Sequence, residues 1–353
     1  MSQWTSLSFA FYRAGEHQLF MDLRNVAAAC CLGLALGLGP AVLPAMAGEH
    51  QGALGGGSRV TSPVEQPGTA SARESGPRLV VSHPGLLWLV RQLFPGATGS
   101  EAVSFVPAGA SPETFEPTPA ALALLNKADF FVASSVPYER AWLPRLRAAA
   151  PQIVIIEAFA SELPGSQKPV IRAHHGSGHE HDPHLWSCPD WLREAAGVMV
   201  SAIGERRPQL RPQLEERRLA TEAALNALKA EINGLLDTKA AVGRRPFFVF
   251  HPAWGAFAET FGLEQVALED HGHAPGPAHM QKFVSKMKFA GAKTIFVQPQ
   301  MSQRLAQTAA GLTGARLAVI DPLAEDLPAE LRKFASELQR DFAVRAAAAA
   351  KKP

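Results

Sequence analysis

The stretch "RAHHGSGHEHDPHLW", Arg172 to Trp186, places five of the chain's twelve histidines within eleven residues. Folding gives no reason to gather so many imidazoles: a core has no room for that many polar rings, and a surface loop does not need them. Neutral imidazole is a ligand for first-row transition metals, so metal binding is one chemistry open to such a cluster, and the rest of the sequence has to supply the reason. Four further positions support that reading once strands are assigned. "FFVF" is followed by His251 and "LAVI" by Asp321; "VSFVPAGASPE" turns through Gly109 to Glu113, and the histidine loop closes with His184. In parallel α/β sheets, ligands bind at the carboxyl ends of strands. Two imidazoles and two carboxylates are therefore candidates to meet in one crevice, a mixed set suited to Zn²⁺, Mn²⁺ or Fe²⁺.

The elements that must position these residues are legible as alternation. Short apolar runs at 78–83, 103–107, 129–134 and 153–158 form one group of strands, and runs at 247–252, 265–270, 294–299 and 316–322 form a second. Continuous apolar strands separated by helices predict parallel sheets covered on both faces. The fold expected is α/β with two lobes, each a mainly parallel β-sheet flanked by helices, joined by one long linker helix, with the metal site in the inter-lobe cleft. The helix is expected within 208–237. There Leu214, Leu219, Ala223, Leu225, Leu228, Ile232 and Leu236 fall mostly at helical spacing, and no Gly or Pro interrupts Gln213 to Asn233. The lobes are expected at 78–207 and 238–345, with a frayed helix end at 346–353. No convincing sequence repeat relates them.

Composition bounds the rest. Of 353 residues, 47% are hydrophobic and 19% charged, enough for a substantial core, and a net charge of +2 gives no footprint for nucleic acid. Residues 1–47 read as a signal peptide whose working start is Met21: Arg24, an apolar run, then Ala45-Met46-Ala47 as a small-x-small cleavage site. Residues 48–77 are rich in Gly, Ser, Pro and Thr and read as a flexible linker. Of the three cysteines, Cys30 and Cys31 fall inside the apolar run, so after cleavage only Cys188 remains. That leaves no internal disulfide and no zinc–thiolate cluster, and Cys188 is expected as a small buried residue.

With these residues in view, the chain resembles the periplasmic metal-binding receptors of zinc and manganese ABC importers. "FVPAGASPETFEPTPAALALLNKADFFVASS" resembles the family's Gly-x-x-x-His-x-x-x-Pro-x-Pro segment, and "DPHLWSCP" its Asp-Pro-His-x-Trp motif. "FFVFHPAWGAFAETFGL" is similar to its His-x-Ala-aromatic-Gly segment, and "GARLAVIDPLAED" to its late Asp-Pro-Leu. The resemblance runs from about Arg78 to about Phe342 and implies four metal ligands, Glu113, His184, His251 and Asp321. Glu113 departs from the pattern, standing where the family has histidine. A carboxylate still ligates zinc at about 2.0–2.2 Å, but two histidines with two carboxylates is also a manganese set. Two features favour Zn²⁺ over Mn²⁺: His251 stands where the manganese branch carries glutamate, and the loop holding His174, His175, His179 and His181 resembles the histidine-rich insert of zinc receptors.

The resemblance implies a non-enzymatic, monomeric receptor in the periplasm. It would capture Zn²⁺ and deliver it to the membrane permease of an ABC importer, with the loop histidines as auxiliary collectors. The plainer reading of that loop is a polar insert. The rival from another class is a secreted zinc hydrolase with Glu113 as general base, but no H-E-x-x-H helix, G-x-S-x-G elbow or P-loop accompanies it. An adhesin role is also attached to the family, and nothing here argues for it. His271, His273 and His279 form a second cluster whose plain reading is an exposed loop. His83, after the first strand, has no role implied by the resemblance. Trp186, Trp254 and Phe257 are expected to pack the lobe interface beside the site.

Overall fold

A computed structural model describes residues 77–96, 102–159, 182–236, 245–269 and 274–350. All of them lie in the compact unit Thr69–Pro353. The expected signal peptide, the linker up to residue 76, the collector histidines and His271 and His273 lie outside the described residues.

Two four-stranded parallel sheets form the frame. The first holds β1 (Leu79–Val81), β2 (Ala102–Ser104), β3 (Phe130–Ala133) and β4 (Val154–Glu157) in the order β2-β1-β3-β4. The second holds β5 (Arg245–Val249), β6 (Leu263–Ala267), β7 (Thr294–Val297) and β8 (Arg316–Val319) in the order β6-β5-β7-β8. Every pairing is parallel, with registers such as Val80↔Phe131 and Phe248↔Ile295. All eight expected runs overlap a strand, and β2, β5 and β6 begin one or two residues ahead of theirs. Each strand stops before the end of its run, because the last residues of the run leave the ladder and turn into the loops that carry the chemistry. β1, β3 and β7 are buried at every position, as a sheet covered on both faces requires.

Helices α1 (Leu87–Leu93), α2 (Pro119–Leu125), α3 (Pro137–Ala149) and α4 (Pro189–Arg206) accompany the first sheet; α6 (Gly255–Thr260), α7 (Pro277–Ala290), α8 (Arg304–Thr313) and α9 (Leu327–Ala350) accompany the second. α2, α3, α4 and α7 begin on proline, whose fixed φ suits a helix's first turn. α7 and α8 end on Gly291 and Gly314 in the left-handed conformation, both at φ 65°, which lets the chain drop directly into β7 and β8.

Between the lobes runs α5 (Arg211–Leu236), preceded by a 3-10 turn at Pro208–Leu210. It packs on α4 and α1 from the first lobe and on α9 from the second. Its 26 residues extend about 39 Å at 1.5 Å per residue. Leu214, Leu225, Leu228, Ile232 and Leu236 are buried as their spacing predicts, whereas Leu219 and Ala223 are exposed and Thr221 takes the inward position. The Thr221 hydroxyl donates to Arg217 O at 2.8 Å, which satisfies it without a partner from another element. One apolar cluster runs through the first sheet, α5, α6 and α9, while a smaller one fills the far side of the second sheet around Phe248, Phe283 and Ile295.

Candidate metal centre

Glu113 is carried by the loop after β2. The chain reverses at Gly109, whose φ of +83° favours glycine, and Glu113 N donates to Ser111 Oγ at 3.3 Å. Phe115, two residues on, lies edge-on to Phe105 and Tyr138 at 5.8 and 5.5 Å between ring centroids. That aromatic contact anchors the loop and leaves the carboxylate half-buried.

His184 is held by its own motif. The Asp182 carboxylate accepts from His184 N at 2.9 Å and faces His184 Nδ1 through the same oxygen, also at 2.9 Å. Pro183 between them limits the backbone to a shape in which both bonds form. Two residues beyond His184, Trp186 is fully buried and donates through Nε1 to Pro322 O at 2.9 Å. That bond ties the loop of the first lobe to the turn after β8. Asp182 is also pressed by α6: a Cβ built on Gly255 would lie 2.2 Å from Asp182 Oδ2, so any side chain there would have to displace that carboxylate.

His251 stands two residues past β5, with its Nδ1 hydrogen-bonded to Glu269, which follows β6. Both site histidines thus present Nδ1 to a carboxylate. This fixes the Nδ1–H tautomer in the neutral ring and directs each Nε2 lone pair into the cleft, the arrangement seen behind metal-bound imidazoles. Asp182 and Glu269 are the functional residues that sequence reasoning did not single out; the only signal for Glu269 was a carboxylate just past a strand.

The three donor atoms form a tight triangle. Glu113 Oε1 lies 3.2 Å from His184 Nε2 and 2.7 Å from His251 Nε2, and the two nitrogens are 3.4 Å apart. Tetrahedral donors about 2.0–2.1 Å from zinc stand roughly 3.3–3.4 Å from one another, so two edges already match and the third is a hydrogen bond that a cation would open. Among the described residues, Glu113, His184 and His251 are the group whose ligand atoms gather in this way.

Charge accounts for the protonation of this triangle. Burial disfavours an imidazolium at His184, but hydrogen bonds to Asp182 and Glu113 outweigh it and raise the pKa to about 9. His251 is raised for the same reasons, against burial and through Glu113 and Glu269. Burial alone would raise Glu113; the hydrogen bonds from the two rings hold it well below the usual carboxylate range. Protons thus hold together a site that a cation would take over by displacing them.

Asp321 lies outside this triangle. Its Oδ1 accepts from Gln300 Nε2 at 2.8 Å and from Leu323 N at 2.9 Å, as the start of the turn after β8. Its place as fourth donor therefore rests on the resemblance. Cys188 is buried, with Sγ 2.9 Å from Thr260 Oγ1, and burial pushes its thiol pKa up. His279 lies on α7, 3.3 Å from Ala267 O. Trp254 and Phe257 are buried and pack on Phe334 of α9, at 4.3 and 4.9 Å between centroids.

Comparison with known proteins places this arrangement. A zinc uptake protein, ZnuA, from Brucella abortus (strain 2308) is 32% identical over 169 residues, a stretch covering 45% of this chain and 50% of that protein. The chain thus aligns with about half the length of such relatives. A crystal structure of ZnuA superimposes with a TM-score of 0.68 at 25% identity, covering 76% of this chain and 99% of that one. A zinc-bound ZnuA deletion mutant gives 0.67 at 25%, covering 76% and 98%. The family model of ZnuA, the periplasmic component A of the zinc-uptake complex, matches residues 80–341. The chain belongs to this family of zinc-uptake components.

Proposed function

We propose that this protein is a periplasmic receptor that captures Zn²⁺ and hands it to the permease of an ABC importer. The observation that carries the reading is the triangle of Glu113, His184 and His251, with a carboxylate behind each imidazole. Two neutral nitrogens and one carboxylate suit Zn²⁺ better than Mn²⁺, which favours oxygen ligands. The zinc named for the Brucella relative and for the deletion mutant points the same way. Asp321 is the proposed fourth donor, reached when the turn after β8 releases its bonds to Gln300 and Leu323. The histidines from His174 to His181 are proposed to collect zinc ahead of the site, and the receptor is proposed to act as a monomer.

A hydrolase would need Glu113 poised toward a metal-bound water. Glu113 Oε1 instead faces both Nε2 atoms directly, which supports the ligand role over that of a base. Competition between the metal-free protein and a chromophoric chelator, titrated with Zn²⁺ and then Mn²⁺, tests the proposal. One tight zinc site with weaker manganese binding supports it. Manganese preference overturns the cargo, and the lack of any tight site overturns the receptor.

A further inference from the structure

The second lobe carries its charge differently on its two faces. Along β5 the side chains alternate: Phe247 packs on Phe334 of α9 at 5.6 Å between centroids, and Phe248 packs on Phe283 of α7 at 5.5 Å. α9 thus covers one face of the sheet. α7 covers the other together with α8, whose Ala306, Ala309 and Ala310 join the same apolar cluster. On α9 every cation is paired with a carboxylate: Arg332 with Glu231, Lys333 with Glu330, Arg340 with Glu337 and Arg345 with Asp341. The opposite face brings no carboxylate of its own. From residue 271 to residue 320 the chain contains no Asp or Glu, yet it contains Lys282, Lys286, Lys288, Lys293, Arg304 and Arg316. Arg316 reaches Glu337 of α9. The other five are exposed and have no ion pair among the described residues.

Spacing sets these charges around apolar side chains. Phe283, Val284 and Met287 turn one side of α7 to the sheet. Lys282, Lys286 and Phe289 recur at i, i+4 and i+7, a single stripe on the outer side, and Lys288 borders it. Phe289 is 97% exposed. Leu312 holds the equivalent place on α8: each of the two lies two positions before the left-handed glycine that ends its helix, Gly291 or Gly314, and Leu312 is 54% exposed. The kind of cation says what such a face meets. Protein–protein interfaces are enriched in arginine and depleted in lysine, whereas all the unpaired cations here except Arg304 are lysines. Point charges on flexible stems beside a protruding phenylalanine suit a layer of mobile anionic headgroups over hydrocarbon. No described helix is long and apolar enough to cross a bilayer, so the contact is peripheral.

We propose that the α7–α8 face of the second lobe docks on an anionic phospholipid surface, with Lys282, Lys286, Lys288 and Lys293 over the headgroups and Phe289 inserted among them. The inference goes beyond the receptor reading and does not depend on it, since no residue of α7 or α8 belongs to the metal triangle. The protein, purified after export, is sedimented with vesicles of phosphatidylcholine and with vesicles of phosphatidylcholine and phosphatidylglycerol in equal parts, at low and high salt. Binding is expected to the anionic vesicles and should fall as salt screens the exposed charges. Lys286→Gln combined with Lys288→Gln should weaken it about 25-fold, because one lysine near an anionic surface is worth roughly fivefold. Phe289→Ser should weaken binding while keeping its salt dependence. These side chains are exposed, so both variants should melt and bind zinc as the wild type does, which shows that they fold and keeps this test apart from that of the receptor. No binding to the anionic vesicles, or equal binding to the neutral ones, overturns the proposal and leaves an acidic protein or solvent as what the face meets. Undiminished binding by the double lysine variant overturns it as well, and undiminished binding by Phe289→Ser overturns the insertion of the ring.

Discussion

The two lobes share a strand order and a His-Pro step after the central strand, yet they treat that histidine in opposite ways. In the second lobe Glu269 holds the His251 ring with Nε2 in the triangle; in the first lobe Val106 has no acceptor to offer, and His83 has no hydrogen-bond partner among the described residues. The first lobe contributes instead through later loops, Glu113 after β2 and His184 beyond β4. A sheet's topology therefore offers equivalent positions, and the neighbouring strand's loop decides how each is used. An imidazole backed by a carboxylate is preset as a ligand, while an unbacked one is not.

The sharpest way to break the comparison is to remove the backed imidazoles themselves. His251→Ala and His184→Ala should each weaken zinc binding by on the order of a hundredfold or more, since structural zinc sites distribute roughly 10–16 kcal/mol over their ligands. Chelator competition measures this directly, and affinity within a few-fold of wild type in either variant would exclude that residue as a ligand. Next in size is Glu269→Val, which gives the second lobe the residue type of the first. Zinc affinity should fall by about 10–100-fold, the range for losing a carboxylate behind a metal-bound histidine, with the fold retained by circular dichroism. An unchanged affinity would mean that the ring is positioned by packing alone. Gly255→Ala acts on the other backed histidine by forcing a side chain against the Asp182 carboxylate. Overpacking of this kind costs about 1–3 kcal/mol, read as a lower melting temperature together with weaker zinc binding. A variant that melts normally and binds normally would show that Asp182 has room to yield.

Much of the frame was legible because its signals are local. Apolar β-rich runs such as "DFFVAS" and "TIFVQP" announce buried parallel strands, and the uninterrupted stretch after Arg211 announces the helix between the lobes. Burial along that helix was less legible: Leu219 has the right type and spacing but faces solvent, and Thr221 turns inward by bonding its hydroxyl to its own backbone. For the site, strand-end position named Glu113, His184, His251 and Asp321 as candidates, and the structure gathers the first three while Asp321 is held by its own turn. Position was not enough to name Glu269, because a carboxylate after a strand looks the same whether it faces water or an imidazole. Nor did it reveal the kinship of His83 and His251. Their shared "HP" is two letters long, and only the hydrogen-bond register, Ser82 N to Val132 O and Phe250 N to Phe296 O, shows that the two turns are equivalent.

The smallest effect expected is on stability without metal, and it too depends on the backed histidines. His184 has a folded-state pKa of about 9, above the unfolded value of 6.5, so its contribution is fully present below pH 6.5 and is lost as pH rises toward 9. His251 shifts in the same direction. Glu113 shifts the other way: its contribution is present above its unfolded value of 4.5 and is lost as pH falls toward its lowered folded pKa. The metal-free protein should therefore be most stable between about pH 4.5 and 6.5 as far as this site is concerned, and should lose on the order of 1–3 kcal/mol toward pH 9. Zinc reverses that slope, because a bound cation requires both rings deprotonated and is favoured as protons become scarce. Urea titrations from pH 5 to 9, with and without zinc, should give curves that diverge as pH rises. His83 adds the same slope to both curves: its ring stays neutral in the folded protein while the unfolded chain takes up a proton below about pH 6.5, so it costs stability as pH falls from 6.5 to 5 and does not affect the divergence above that. Parallel curves would mean that the triangle is not held together by protons in the metal-free protein, and the backed and unbacked imidazoles would then differ in geometry alone.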